Sequence, residues 1–221
     1  MTTTDTRQRL LDAAERLFAE QGFDGTSLRA ITTEAEANLA AVNYHFNSKE
    51  GLIAAVFKRR IEPLNRERLR LLQEAVEAAA PQPPALEAVI RAFVAPPLRL
   101  HQACSGGEPF ARLIGRIFAE PSEVKMLIVG QFRETAERFI AVFQQILPHL
   151  PRPELFWRVH FLVGGMAHTS AAGDFIRFFS QGACDPDDAD ATIEQLVAFA
   201  AAGFRAPVLN PENTPMERSE P

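Results

Sequence analysis

The sequence predicts an all-α fold: a three-helix head, a long helix leading out of it, and an all-helical body, about nine helices in all. Three observations carry this reading. Apolar residues recur three and four positions apart through the long segments, as they do along one side of a helix. Short polar side chains at Ser27, Asn38 and Asn47 or Ser48 stand just ahead of such stripes, where an oxygen can accept from the free N–H groups of a first turn. Gly22 and the prolines at 81, 83, 84, 148, 151 and 153 fall where the stripes stop.

The first helix runs from about Thr4 or Asp5 to Gln21, with Leu10, Ala14, Leu17 and Phe18 as its stripe. Gly22 supplies a left-handed cap, and Phe23 is placed for the apolar contact that accompanies one. Thr26 or Ser27 then opens a short second helix with Leu28, Ile31 and Ala35 inward, and Asn38 opens a third, about Leu39 to Phe46, with Val42 and Phe46 inward. The first helix covers these residues and closes the head. A fourth helix opens at Asn47 or Ser48, with Asn47 and Glu50 as a capping box. Its stripe of Leu52, Ile53, Val56, Phe57, Ile61 and Leu64 meets Pro63, which is expected to kink or interrupt it before Leu69, Leu72 and Val76.

Pro81-Gln82-Pro83-Pro84 is a break, and a fifth helix follows from about Ala85 to Leu100, its end disturbed by Pro96-Pro97. His101 to Glu108 reads as a loop. Phe110, Leu113, Ile114, Ile117 and Phe118 make a short sixth helix. Ser122 to about Leu147 makes a seventh, with Val124, Leu127, Ile128, Phe132, Phe139, Phe143 and Ile146 on its stripe. Two more helices, about Pro153 to Ser180 and Asp187 to Phe204, complete the body, and the tail after Ala206 is expected to be disordered. The domains predicted are therefore a head over residues 1–50, a body over 51–206 and a tail over 207–221.

The third helix leaves Leu39, Ala40, Asn43 and Tyr44 outside, and that surface has a chemistry. An Asn amide pairs two-pronged with the N6/N7 edge of adenine, small methyl-bearing side chains meet a thymine methyl, and Tyr, His and Lys reach phosphates. The surface suits a major groove.

Tyr44-His45-Phe46 followed by Ser48-Lys49-Glu50, behind an amphipathic first helix, resembles the helix-turn-helix of the TetR/AcrR family of transcriptional regulators over roughly the first quarter of the chain. From their chemistry Asn43, with Leu39, Ala40 and Ala41, is expected to read base edges, while Thr26, Ser27, Arg29, Tyr44, His45 and Lys49 hold phosphates and Asn38 starts the recognition helix. Two positions depart from the family. Glu36 occupies the turn where relatives carry Gly, which at positive φ costs something like 1 kcal/mol. Asn43 replaces the first Tyr of a Tyr-Tyr-His-Phe run, so base readout there is not inherited from the family.

The resemblance also implies a homodimer built on a four-helix bundle of the last two long helices, and an effector pocket among the middle helices. For the pocket it suggests Phe93, Phe110, Leu113, Ile114, Ile117, Phe132, Phe139, Trp157, His160, Phe161 and His168; for the interface, Gly164, Thr169, Phe175, Phe179, Leu196 and Ala200. The runs Asn38 to Phe46, Pro63 to Arg68 and Cys184 to Asp188 look like a branch that includes PsrA-type fatty-acid-responsive repressors, so a fatty acid or acyl-CoA is the effector this implies. Activation in place of repression, or DNA binding without any effector, are the alternatives.

Composition is compatible with all of this. The chain has 221 residues, 47% apolar and 23% charged, with net charge −5. Residues 1–60 carry 8 basic and 8 acidic side chains, so the whole deficit lies in the remainder. A neutral head binds DNA if its cations converge on one face. No stretch reaches the 18 or so apolar residues of a membrane span and no signal peptide opens the chain, which places it in the cytoplasm. Cys104 and Cys184 read as scattered reduced thiols. There is no Gly-x-Ser-x-Gly, P-loop or His-Glu-x-x-His, and His101-x-x-Cys104 falls short of a zinc site, so no enzyme activity, cofactor or metal is expected.

Overall fold

The computed structural model describes residues 3–103 and 122–208, and no strand occurs among them. The head consists of α1 (Thr3–Gly25), α2 (Leu28–Glu34) and α3 (Leu39–Phe46). α4 (Lys49–Ala79) leads into the body, which continues with α5 (Leu86–Ala103), α6 (Ser122–Val129) and a 3-10 turn, Gly130–Phe132. α7 (Arg133–Ile146), α8 (Arg152–Ala171), α9 (Gly173–Phe179) and α10 (Ala189–Arg205) complete it.

Gly22 bends α1 with φ 81 and ψ 172, a combination open only to glycine. The bend seats Phe23 beside Phe18 and Phe57, ring centroids 5.2 and 6.0 Å away. Leu10, Phe18, Ile31, Val42 and Phe46 then form one core with Leu52, Val56, Phe57 and Ile61 of α4. The apolar interior of the head thus continues past residue 50 into three turns of α4.

α4 is not interrupted at Pro63: all 31 residues form one helix, about 46 Å long at 1.5 Å per residue. The proline forfeits one backbone hydrogen bond on an exposed face, while Ile61 just before it is buried in the head core and Arg68 and Leu72 beyond it in the body. Packing on both flanks outweighs the local defect. The same holds for Pro96-Pro97, where α5 continues to Ala103 because Val94, Ala95 and Leu98 are buried in the body core. The expected loop therefore starts later than His101, and its remainder, with the helix expected over 110–118, lies outside the described residues.

Two helices expected to be single are divided. The 122–147 helix breaks at Gly130–Phe132 because its halves serve different cores: Ile128 and Phe132 pack with the head, Phe139 and Phe143 with the body. Leu127, expected inward, is exposed. The 153–180 helix stops at Ala172, φ −133 and ψ 30. Just before it, the Thr169 and Ser170 hydroxyls donate to the carbonyls of Gly165 and Met166 at 2.8 and 3.0 Å, back-bonding that bends and weakens a last turn.

The body core joins α5, α7, α8 and α10 to the far half of α4. Two buried arginines tie it together. Arg68, 3% exposed, donates through Nε to the Phe93 carbonyl at 2.8 Å and lies over the Phe93 ring, and burial pulls its pKa down to about 10. Arg158 bonds the carbonyls of Phe204, Ala206 and Pro207 at 2.7, 2.9 and 3.2 Å, meeting the acceptors that the end of α10 leaves free. The tail expected over 207–221 falls outside the described residues after 208.

Candidate nucleic-acid interface and effector cleft

Ser27 caps α2, its Oγ accepting from the Ala30 N–H at 3.0 Å, and Asn38 caps α3, its Oδ1 accepting from Ala41 at 2.9 Å. Between them the chain turns at Glu36 with φ 47, the positive angle the sequence raised. Thr26 departs from its expected role. It is fully buried, and its hydroxyl donates to the carbonyls of Gly22 at 2.7 Å and Leu17 at 3.1 Å, so it fastens α2 to α1 and its side chain cannot reach a phosphate.

Val42 and Phe46 face inward, and Leu39, Ala40, Asn43 and Tyr44 are exposed on the opposite side of α3, Tyr44 to 75%. Ala41, His45 and Lys49 are half-buried, and Ser27 and Arg29 are exposed at the start of α2. The Tyr44 ring stands edge-on to His45 at 4.9 Å, which restricts both.

The α3–α4 corner is set by three residues. Asn47 takes φ 64 and donates its N–H to the Asn43 carbonyl, so it ends α3 and does not cap α4 as expected. Ser48 is the cap, its Oγ accepting from Gly51 at 3.1 Å, and hydrogen bonding with Ser48 holds the Glu50 carboxyl below its usual range. A Cβ on Gly51 would sit 2.0 Å from the Phe46 carbonyl oxygen, so the corner closes only with glycine there.

Among the described residues, head and body meet at two places along α4. At one, Glu15 of α1, 5% exposed, is paired with both Arg59 and Arg60, and Arg59 also bonds Asp12 at 2.5 Å. At the other, Asn65 donates to the Gln131 carbonyl and Gln131 Nε2 to the Ala54 carbonyl, each at 3.0 Å, beside Ile128 and Phe132.

Among the described residues, those expected to line a pocket do not come together. Phe93 and Phe139 pack edge-on at 5.1 Å inside the body core, Phe132 lies against the head core, and Trp157, His160, Phe161 and His168 are exposed on α8. Phe110, Leu113, Ile114 and Ile117 lie outside the described residues. A cleft of about 470 Å³ opens elsewhere, between α4 and α5, lined by Arg59, Arg60, Pro63, Leu64, Glu67, Leu71, Pro96, Arg99 and Leu100. Sequence reasoning treated its two prolines as helix breaks only; the available signal was Arg60, Leu64, Glu67 and Leu71 at helical spacing.

Of the expected interface residues, Gly164, Phe175 and Phe179 are exposed. Thr169 is half-buried, Leu196 packs against the body core, and Ala200 is inside that core because the opposite side of α10 faces α5. The outward side of α10 instead carries Phe199, 80% exposed, and α8 carries Trp157 and Phe161 stacked at 5.8 Å. No cluster of three metal-ligating side chains exists among the described residues, Cys184 is exposed, and Cys104 lies outside them. No described helix is long and apolar enough to cross a membrane.

Residues 10–56 match the family model described as bacterial regulatory proteins, tetR family, and residues 91–203 match the tetracyclin repressor-like C-terminal domain. The chain is 41% identical over 66 residues to the HTH-type nicotine-responsive transcriptional repressor HdnoR of Paenarthrobacter nicotinovorans, covering 30% of this chain and 34% of that protein. It is 36% identical over 53 residues to the HTH-type transcriptional repressor AcnR of Corynebacterium glutamicum, covering 24% and 28%. These matches span well under half of each relative's length. Among solved structures, the fatty acid degradation regulator FadR from Bacillus halodurans superposes with TM-score 0.65 at 13% identity, over 91% of this chain and 97% of that one. HlyIIR, a hemolysin II transcriptional regulator, gives 0.58 at 19% identity, over 90% and 98%. Likeness at such identities establishes the fold alone. The two family models together cover most of the chain from the first head helix to the last body helix, and the protein belongs to the TetR family of transcriptional regulators, which are not enzymes.

Proposed function

We propose that the protein is a dimeric, sequence-specific repressor that leaves its operator when a small lipophilic effector binds the body. One observation carries the first half of this reading: α3 seals its inner side with Val42 and Phe46 and presents Leu39, Ala40, Asn43 and Tyr44 outward. Asn43 with Leu39, Ala40 and Ala41 reads base edges, and Ser27, Arg29, Tyr44, His45 and Lys49 hold phosphates. Two heads enter successive major grooves about 34 Å apart. The exposed aromatic residues of α8 and α10 support pairing with a second copy.

The effector half rests on the connections between body and head. An effector that shifts α5 or α6 against α4 bears on Ile128, Phe132 and the Gln131 hydrogen bonds, and through them on the head core. Its differential affinity for the two arrangements becomes a population shift towards a dimer whose heads no longer match the grooves. The resemblance to fatty-acid-responsive repressors makes acyl compounds the first effectors to try.

The test is binding of the purified protein to DNA from around its own gene, with and without a panel of long-chain fatty acids and acyl-CoAs. A specific complex released by one of them supports the whole reading. A specific complex that none disturbs removes the lipophilic effector, and no specific complex removes the operator.

A further inference from the structure

The α4–α5 cleft combines two chemistries. Pro63, Leu64, Leu71, Pro96 and Leu100 give it an apolar lining, and Arg59, Arg60 and Arg99 bring three guanidinium groups to it. Its volume of about 470 Å³ falls in the range of roughly 300–1,000 Å³ typical of small-molecule sites. Glu67, the one acidic residue among the described lining, is already bound by Arg70 at 2.7 Å. Arg99 is paired with the exposed Asp190 at 3.0 Å, a contact that solvent weakens.

The other two arginines are shared with the DNA-binding head. Arg59 bonds Asp12 and Glu15, and Arg60 bonds Glu15, both acids belonging to α1. Arg59 also has a buried Nε that bonds no group among the described residues. We propose that this cleft takes an amphipathic anion, a carboxylate or phosphate on a long hydrocarbon chain, which signals by competing with Asp12 and Glu15 for Arg59 and Arg60. This rests on the effector-responsive reading above.

The physical reason is that two acceptors cannot hold the same guanidinium donors. Charge-assisted hydrogen bonds to the anion are made at the expense of those to Glu15, and a carboxylate as buried as Glu15 is costly once its partners are withdrawn. Anion binding and the α1–α4 ion cluster therefore oppose each other, and by linkage whatever weakens one strengthens the other. A neutral amphiphile of equal length fills the apolar lining but has no claim on the arginines.

Isothermal titration of the full-length protein with dodecanoate, dodecyl phosphate and dodecanol tests this. Both anions are expected to bind at least about tenfold more tightly than the alcohol, the worth of one charge-assisted hydrogen bond, and the tighter of the two identifies the headgroup. Arg99→Gln weakens the anions and leaves dodecanol unchanged. Glu15→Gln, a change in the head, tightens anion binding while it weakens operator binding, a gain that structural damage would not produce. Asp12→Asn, at an exposed position, gives a smaller effect of the same sign if Glu15→Gln fails to fold.

Dodecanol binding as tightly as the anions, or anion affinity unmoved or lowered in both head variants, overturns the proposal. If lipophiles release the operator but Arg99→Gln and the head variants bind them as wild type does, the cleft is wrong and the effector reading stands. If no lipophile binds or disturbs the operator, both fall.

Discussion

At the scale of single residues, the head depends on positions whose roles look interchangeable in sequence. Thr26 and Ser27 are both cap-type residues, yet Ser27 caps α2 and Thr26 is buried on the Leu17 and Gly22 carbonyls, because the end of α1 lies directly beneath it. On the outer side, Asn43→Ala should cost about 1 to 3 kcal/mol of operator affinity and relax selectivity at one base pair. Lys49→Ala should weaken all sequences alike and lower the salt slope by about 1. Competition binding against single-base operator variants at several salt concentrations separates the two, and a uniform loss for both substitutions would remove Asn43 from base readout. Gly51→Ala pushes a methyl into the Phe46 carbonyl and should destabilise the fold by about 1 to 3 kcal/mol in thermal or denaturant unfolding. Because that corner orients α3, operator affinity should fall even where the variant remains folded.

At the scale of elements, caps and apolar stripes decided where helices begin and which side turns inward, and the prolines misled. α4 passes Pro63 and α5 passes Pro96-Pro97 because flanking side chains are buried on cores that a short sequence window does not contain. α5 and α10 are joined by packing, by the Arg99–Asp190 pair and by two further exposed ion pairs, Arg205 with Glu87 and Arg91 with Glu194. Hydrogen bonding from these arginines holds both carboxyls below the usual range. The unfolded chain therefore takes up those protons first on acidification. The contribution of the pairs is complete above the ordinary carboxylate pKa of 4.5 and is lost as pH falls through the depressed folded values. Thermal unfolding followed from pH 7 to pH 3 should show a smaller drop for the Glu87→Gln/Glu194→Gln variant than for wild type. Added salt should shrink the difference, since both pairs are at the surface.

At the scale of the whole molecule, the aromatic residues divide between interior and surface. Phe93, Phe139, Phe143 and Phe204 fill the body core, while Trp157 and Phe161 on α8 and Phe199 on α10 are exposed. Burying one such side chain against a partner contributes about 1.5 to 3 kcal/mol, set against the cost of association, so this face is where two copies are expected to pair. Sedimentation should show a dimer at micromolar concentration, and Phe161→Glu with Phe199→Glu should give a folded monomer. A wild-type monomer under those conditions would remove this face as the dimer interface.

The sequence by itself determined the helical class, the three-helix head, the Asn38 cap of α3 and the outward surface of that helix. Each follows from spacing and capping within about ten residues, where local geometry leaves few choices. Tertiary structure alone decided that α4 is continuous, that Thr26 is internal, that Ala200 is core while Phe199 is surface, and that a cleft brings Arg59, Arg60 and Arg99 together. A stripe shows that one side of a helix will be covered, but what covers it is set by residues tens of positions away. The same four-residue aromatic spacing, Phe139 and Phe143 on α7 and Trp157 and Phe161 on α8, accordingly ends in a core on one and in solvent on the other.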